Sequence, residues 1–209
     1  ALAKLSDNPR EKALHFVRAA ELTAEDGNRD AQLRALEMYE QALLFDADST
    51  PSVQNLARML VNDPGRLIDK LSDALSRARV RAQIVLIGTE IGQATLRNKE
   101  ALAASPEPGH GIAAMRRVLS VVPDDIPSLL LMARLLVAQR IWPEARDTLL
   151  RVIHFSAREP EQFIAAQFML ADLYEGPIDN LEAAEQCLQA ILAIDPKSRK
   201  ALEKLVQIA

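Results

Sequence analysis

The sequence predicts an all-α fold, an array of antiparallel helix pairs. Three observations carry that expectation. Apolar residues make up 49% of the 209, enough for a large core, yet there are only 7 glycines and aromatics reach just 4%. Strand-rich chains need more turn glycines and aromatic runs than that, whereas abundant Ala and Leu favour helices. The apolar residues recur at i, i+3, i+4 and i+7, the period of one helix face. Finally, clusters containing Pro, Gly and Asp interrupt that period, and such short connections fold successive helices back on one another.

The stripes run in order along the chain. Ala35, Leu36, Tyr39, Ala42 and Leu43 form one, and Val53, Leu56, Ala57 and Leu60 the next. Ile84, Ile87, Gly88 and Ile91 repeat the spacing, as do Leu129, Met132, Ala133 and Leu136. In the last three the third member is small. Ala or Gly there lets a neighbouring backbone approach where a larger side chain would overpack at ~1–3 kcal/mol. Asp63-Pro64-Gly65 is read as the end of one helix, and Ser105-Pro106-Glu107-Pro108-Gly109 as the clearest loop. Pro123-Asp124-Asp125-Ile126-Pro127 is read as a turn that starts the next helix, with its acids as caps. Arg158-Glu159-Pro160, Glu175-Gly176-Pro177 and Asp195-Pro196 are the later breakers. Together these divide the chain into roughly ten or eleven helices.

The stripes also repeat as pairs. After Leu136 come Trp142, Ala145, Leu149 and Val152. Leu170, Ala171 and Tyr174 are followed by Ala184, Leu188 and Ile191, closing on Ile194-Asp195-Pro196. Ala35 to Leu43 leads to Phe45-Asp46-Ala47, and Gly111, Met115 and Val118 lead to Pro123. This pattern resembles the tetratricopeptide-repeat family. The resemblance implies a right-handed superhelical solenoid forming a single domain over residues 1–209. The implied repeats are 14–48, 50–79, 81–123, 126–157 and 163–196, with a capping helix at 197–209 that exposes Lys200, Glu203 and Lys204. The first repeat is about three residues too long at Asp26 to Asp30, and the third carries an insertion of about eleven residues within Gln93 to Gly109. The second has a short second helix around Leu67, Leu71 and Ala74 with no clean match.

Composition and spacing argue against several classes of function. A net charge of −4 disfavours nucleic acid as a partner. No apolar run approaches the ~18–20 residues that span a bilayer, so membrane insertion is not expected. Cys187 is the only cysteine, which excludes an internal disulfide. That fits a reducing compartment, so the cytoplasm is the expected location, with the periplasm as the alternative. The first residues do not read as a signal peptide, and a start on Ala1 fits a fragment of something longer. His15, His110 and His154 are far apart, with no His-Glu-x-x-His, so neither a metal nor another cofactor is expected. His154 reads as a partly buried helix residue, His110 as a loop or helix-start residue, and Cys187 as a packed thiol. Gly88-x-x-x-Gly92 reads as close helix contact and not as a phosphate loop. Arg77, Arg79 and Arg81 point in different directions around a helix, as solvated surface would. Nothing converges as an active site must, so an enzyme is not expected.

The resemblance also implies where binding occurs. On each first helix, residues at i+1 and i+5 lie about 100° from the packed face, and in this family that face lines a concave groove. The i+1 row is Val17, Gln54, Val85, Leu130 and Phe168, and the i+5 row is Glu21, Arg58, Thr89, Arg134 and Asp172, with Asn55 and Asn62 beside them. Val85, Leu130 and Phe168 would form an apolar strip, with Arg58 and Arg134 placed to meet carboxylates. The expected function is a protein–protein interaction scaffold holding a peptide or partner segment. The alternative is a structural spacer or self-assembling segment of a larger repeat protein, its strip covered by its own chain or a second copy as a homo-oligomer. The lysines of the family's carboxylate clamp are absent, since Gln54, Asn55 and Arg58 stand in one repeat and Val85, Leu86 and Thr89 in the next.

Overall fold

A computed structural model describes residues 7–98 and 109–208. Among the described residues the chain forms eleven helices and no strand. It divides after Val121 into two compact units. The first contains α1 (Pro9–Ala24), α2 (Arg29–Phe45), α3 (Thr50–Met59), α4 (Pro64–Arg77), α5 (Arg81–Arg97) and α6 (His110–Val121). The second contains α7 (Ile126–Ala138), α8 (Trp142–Phe155), α9 (Pro160–Glu175), α10 (Leu181–Ile194) and α11 (Arg199–Ile208). Within each unit, helices consecutive in sequence pack on one another, α1 on α2, α5 on α6, α7 on α8 and α9 on α10 most extensively.

Helix starts follow from local chemistry. The first turn of a helix has unpaired N–H groups, and a side-chain oxygen just before it accepts from one of them, which stabilises by about 1 kcal/mol. Asn28 accepts from the Ala31 N–H at 2.8 Å, Asp125 from Ser128 at 2.9 Å, and Asn180 from Ala183 at 3.0 Å. Proline, which has no N–H to leave unpaired, stands in the first turn of α1, α3, α4, α7, α8 and α9. Helix α7 ends through a left-handed residue, Arg140, with φ 58°. The Arg140 N–H donates to Val137 O at 3.0 Å and the Ile141 N–H to Leu136 O at 2.9 Å, closing the last carbonyls.

The stripes form the cores. In the first unit Leu36, Tyr39, Leu43, Val53, Leu56, Ile84, Ile87 and Ile91 are buried. In the second, Leu129, Met132, Ala133, Leu136, Ala145, Leu149 and Val152 are. Gly88 serves close approach: a β-carbon there would lie 2.2 Å from Val118 Cγ2. That distance explains why a residue without a side chain sits on this face of α5.

Several local expectations are corrected. Asp63-Pro64-Gly65 starts a helix as much as it follows one: Asp63 Oδ1 accepts from the Arg66 N–H at 3.1 Å, and Pro64 is the first residue of α4. Helix α4 is a full 14 residues, with Leu67, Ile68, Leu71, Ala74 and Leu75 all buried. Its apolar spacing, four then three, equals that of Ala145, Leu149 and Val152; what differs is the order of sizes, with Leu67 where the other second helices carry a small residue. Arg77, Arg79 and Arg81 do not share a helix. Arg77 closes α4, Arg79 lies in the connection, and Arg81 opens α5. Of residues 26–30, Asp26 and Gly27, at φ 67°, complete a turn, Asn28 caps α2, and Arg29 and Asp30 are already its first two residues. The expected insertion begins as a continuation of α5 through Arg97; of the loop read at Ser105 to Gly109, residues 105–108 lie outside the described residues.

Candidate interaction faces

In the first unit the expected face is built from α3 and α5. Gln54 and Arg58 are exposed, and Asn55, Val85 and Thr89 half-buried. Asn55 is fixed at both ends: its amide donates to Pro51 O at 2.9 Å, and its Oδ1 accepts from Arg58 Nη2 at 2.7 Å. One guanidinium fork therefore keeps donors to spare. The two helices are tied at their starts, where the Thr50 hydroxyl donates to Gln83 Oε1 at 2.9 Å. Asp48 Oδ1 also accepts the N–H groups of Arg79 and Val80, each at 3.2 Å. Glu21, Tyr39 and Arg58 converge from α1, α2 and α3. Burial raises the pKa of the Tyr39 phenol most, the Glu21 charge raises it further, and Arg58 lowers it.

Val17, expected in the i+1 row, is buried at 5% exposure. The packed stripe of α1 is Ala13, Val17 and Ala20, so Val17 belongs to the core side and the row does not extend through it.

In the second unit the face comes from α7 and α9. Leu130 and Phe168 are half-buried, while Arg134 and Asp172 are exposed. The sequence reading missed the contribution of α11. Lys200 Nζ sits 4.3 Å from the centroid of the Phe168 ring, a cation–π distance. Lys204 Nζ lies 2.9 Å from Asp172 Oδ1 and also binds Glu175. Hydrogen bonds that the ammonium donates to Glu175 and then to Asp172 hold the Lys204 pKa above its ordinary value. Lys204 was expected on the outer face of a cap and is instead half-buried against α9. A small cleft of about 210 Å³ adjoins Asp172, walled by Val137, Trp142, Met169, Leu173 and Pro177.

Residues weighed for chemistry are dispersed. His110 begins α6 and is exposed. His154 is exposed as well, against expectation, because it lies across α8 from the buried Leu149 and Val152; its ring meets Phe155 edge-on at 5.1 Å. Cys187 is buried, and desolvation pushes its thiol up to about 11. Among the described residues no group of three or more His, Cys, Asp or Glu could hold a metal. No helix among them is long and apolar enough to cross a membrane.

No family model matches the sequence, and no curated protein does. Solved structures do match. YrrB, described as a TPR protein with an unusual peptide-binding site, is similar over 92% of this chain and 91% of its own, with 16% identity and a TM-score of 0.62. The C-terminal part of a TPR repeat-containing protein from Cytophaga hutchinsonii covers 91% of this chain and 72% of its own, with 20% identity and a TM-score of 0.64. MamA from Desulfovibrio magneticus RS-1 covers 93% and 98%, with 12% identity and a TM-score of 0.58. At such identities the likeness establishes the fold: this chain is an all-α protein with a tetratricopeptide-repeat-like fold.

Proposed function

We propose that the chain is a protein–protein interaction scaffold, not an enzyme, and that it holds a peptide or partner segment on the faces formed by its first helices. The observation that carries this reading is the second unit's face. There, Leu130 and Phe168 are half-buried and Arg134 and Asp172 exposed, one apolar and one charged residue on each of α7 and α9. Apolar anchors ringed by charge are what a docked segment requires. Gln54, Asn55, Arg58, Val85 and Thr89 offer a corresponding mixture in the first unit. A similarly folded protein, YrrB, is described as having a peptide-binding site, which supports the class of partner.

The test compares wild type with a Leu130→Glu/Phe168→Glu variant in pull-downs, with circular dichroism to verify folding. Partners retained by the wild type and lost by a folded variant support the reading, and equal retention sinks it. A spacer or self-assembling segment is the second reading. It is favoured by apolar side chains left uncovered on helix faces, Leu22 at 67% and Val206 at 81% exposure. Light scattering separates the two, because a mass that rises with protein concentration favours assembly.

A further inference from the structure

We propose that a groove in the first unit, between the start of α2 and the end of α3, is a docking site for a short acidic peptide segment with apolar side chains. The inference goes beyond the faces described above, with which this groove shares only Arg58 and the neighbouring Asn62. Its volume is about 770 Å³, within the range of sites that enclose small ligands or a few residues of chain. Leu33 and Leu36 of α2 form one wall, and Met59 and Val61 the other. Leu33 is 49% exposed and Val61 48%, so two apolar side chains stand open to solvent on opposite sides.

The charge of the lining has one sign. Arg29 and Arg58 are its only charged residues. The nearby acids, Glu25 and Asp26 of the adjoining turn and Asp30 in the first turn of α2, are exposed and do not line it. Arg29 is the first residue of α2. A cation there is opposed by the positive end of the helix dipole, so the position makes more sense as part of an anion site than as helix stabilisation. Arg58 spends one nitrogen on Asn55 and keeps its other donors. Carboxylates are the complement of two guanidinium groups, and a bidentate pair with either is strong. A small inorganic anion would leave Leu33 and Val61 uncovered. A peptide would cover them, and the Gln32 and Asn62 amides, also in the lining, can donate to and accept from its backbone.

The probe is a fluorescently labelled hexapeptide alternating leucine with aspartate, read by anisotropy at low and high salt. Its control replaces each aspartate by asparagine. Wild type should bind the acidic peptide, with affinity falling as salt rises, and the asparagine control should bind at least about tenfold more weakly. Arg29→Ala and Leu33→Glu should each weaken the acidic peptide roughly tenfold. Both residues are exposed, so circular dichroism should be unchanged. The inference is overturned if the acidic peptide fails to bind at about 1 mM, if the asparagine peptide binds equally, if Arg29→Ala leaves affinity unchanged, or if inorganic phosphate displaces the peptide completely. Arg29 and Leu33 are remote in sequence from Leu130 and Phe168 and lie in the other unit, so a negative result here leaves the scaffold reading standing on its own test.

Discussion

Gly88 of α5 and Val118 of α6 are so close that a β-carbon on Gly88 would sit 2.2 Å from Val118 Cγ2, with Ala114 O at 3.4 Å. The contact seals the most extensive helix pair of the first unit's C-terminal part. Gly88→Ala adds one methyl and improves helix propensity by about 1 kcal/mol. It must also push α6 away or force Val118 from its rotamer, at about 1–3 kcal/mol. The clash should win, lowering the urea midpoint. Val118→Ala in the same chain removes the clashing methyl, so the double variant should be more stable than the sum of the two single losses implies. Strict additivity would show that the contact does not set the spacing.

Arg140 occupies the left-handed region at φ 58°, where a β-carbon is disfavoured. Glycine carries no such penalty, and the two hydrogen bonds that close α7 come from the backbone N–H groups of residues 140 and 141, which the substitution leaves in place. Arg140→Gly should therefore stabilise the second unit by about 0.5–1 kcal/mol, read as a rise in thermal midpoint. Arg140→Val should destabilise it by a similar or larger amount, because a β-branched residue resists positive φ.

The packing of this chain was legible in its sequence wherever a contact follows from local period. Leu129, Met132, Ala133 and Leu136 name the buried face of α7 without help from any other helix, because one side of a helix must meet the core. Helix α4 was misread for the converse reason. Its Leu67, Leu71 and Ala74 are fully buried at the same four-then-three spacing as Ala145, Leu149 and Val152, but with large residues first and the small one last they give no clean match by residue type. The interaction faces were less legible. Lys200 over Phe168 and Lys204 on Asp172 depend on how α11 lies along α9, which no single-helix pattern encodes. The groove at Arg29, Leu33 and Val61 joins the start of one helix to the end of another, and residues at helix ends fall outside any stripe.

Lys204 links α11 to α9 through Asp172 and Glu175. Helix α11 packs mainly on α10 and has one buried residue, Ala201, so these ion pairs add to a sparse attachment. The Lys204 pKa is raised above 10.5 in the folded chain. Below pH 10.5 the lysine is protonated folded or unfolded, and its contribution is fully present. As pH rises from there through the raised folded value, the unfolded state sheds its proton first and the contribution is lost. Lys204→Met should therefore lower stability at neutral pH and narrow its gap to wild type above about pH 10.5. Hydrogen exchange should show the loss of protection concentrated in α11. A gap that stays constant to the alkaline end would show that Lys204 acts through its packing alone.

Cys187 tests the burial of α10 chemically. Desolvation raises its thiol from 9.0 to about 11, and no cation offsets that cost. The thiolate is the nucleophile, so at pH 8 the native population of that species falls by roughly a hundredfold, two pH units' worth. Labelling by a disulfide reagent should be slower than for a free thiol by at least that factor, and slower still because the side chain is buried. Urea should restore the free-thiol rate across the same transition that melts the helices. The linkage has the same sign as for Lys204: the neutral thiol is favoured in the fold below pH 9.0, and stability falls as pH rises towards 11. Cys187→Ala should remove that alkaline slope at the cost of a small cavity on the packed face of α10. Fast labelling of the native protein with no change in ellipticity would instead mean that α10 opens locally, and that the face it packs against is reached without global unfolding.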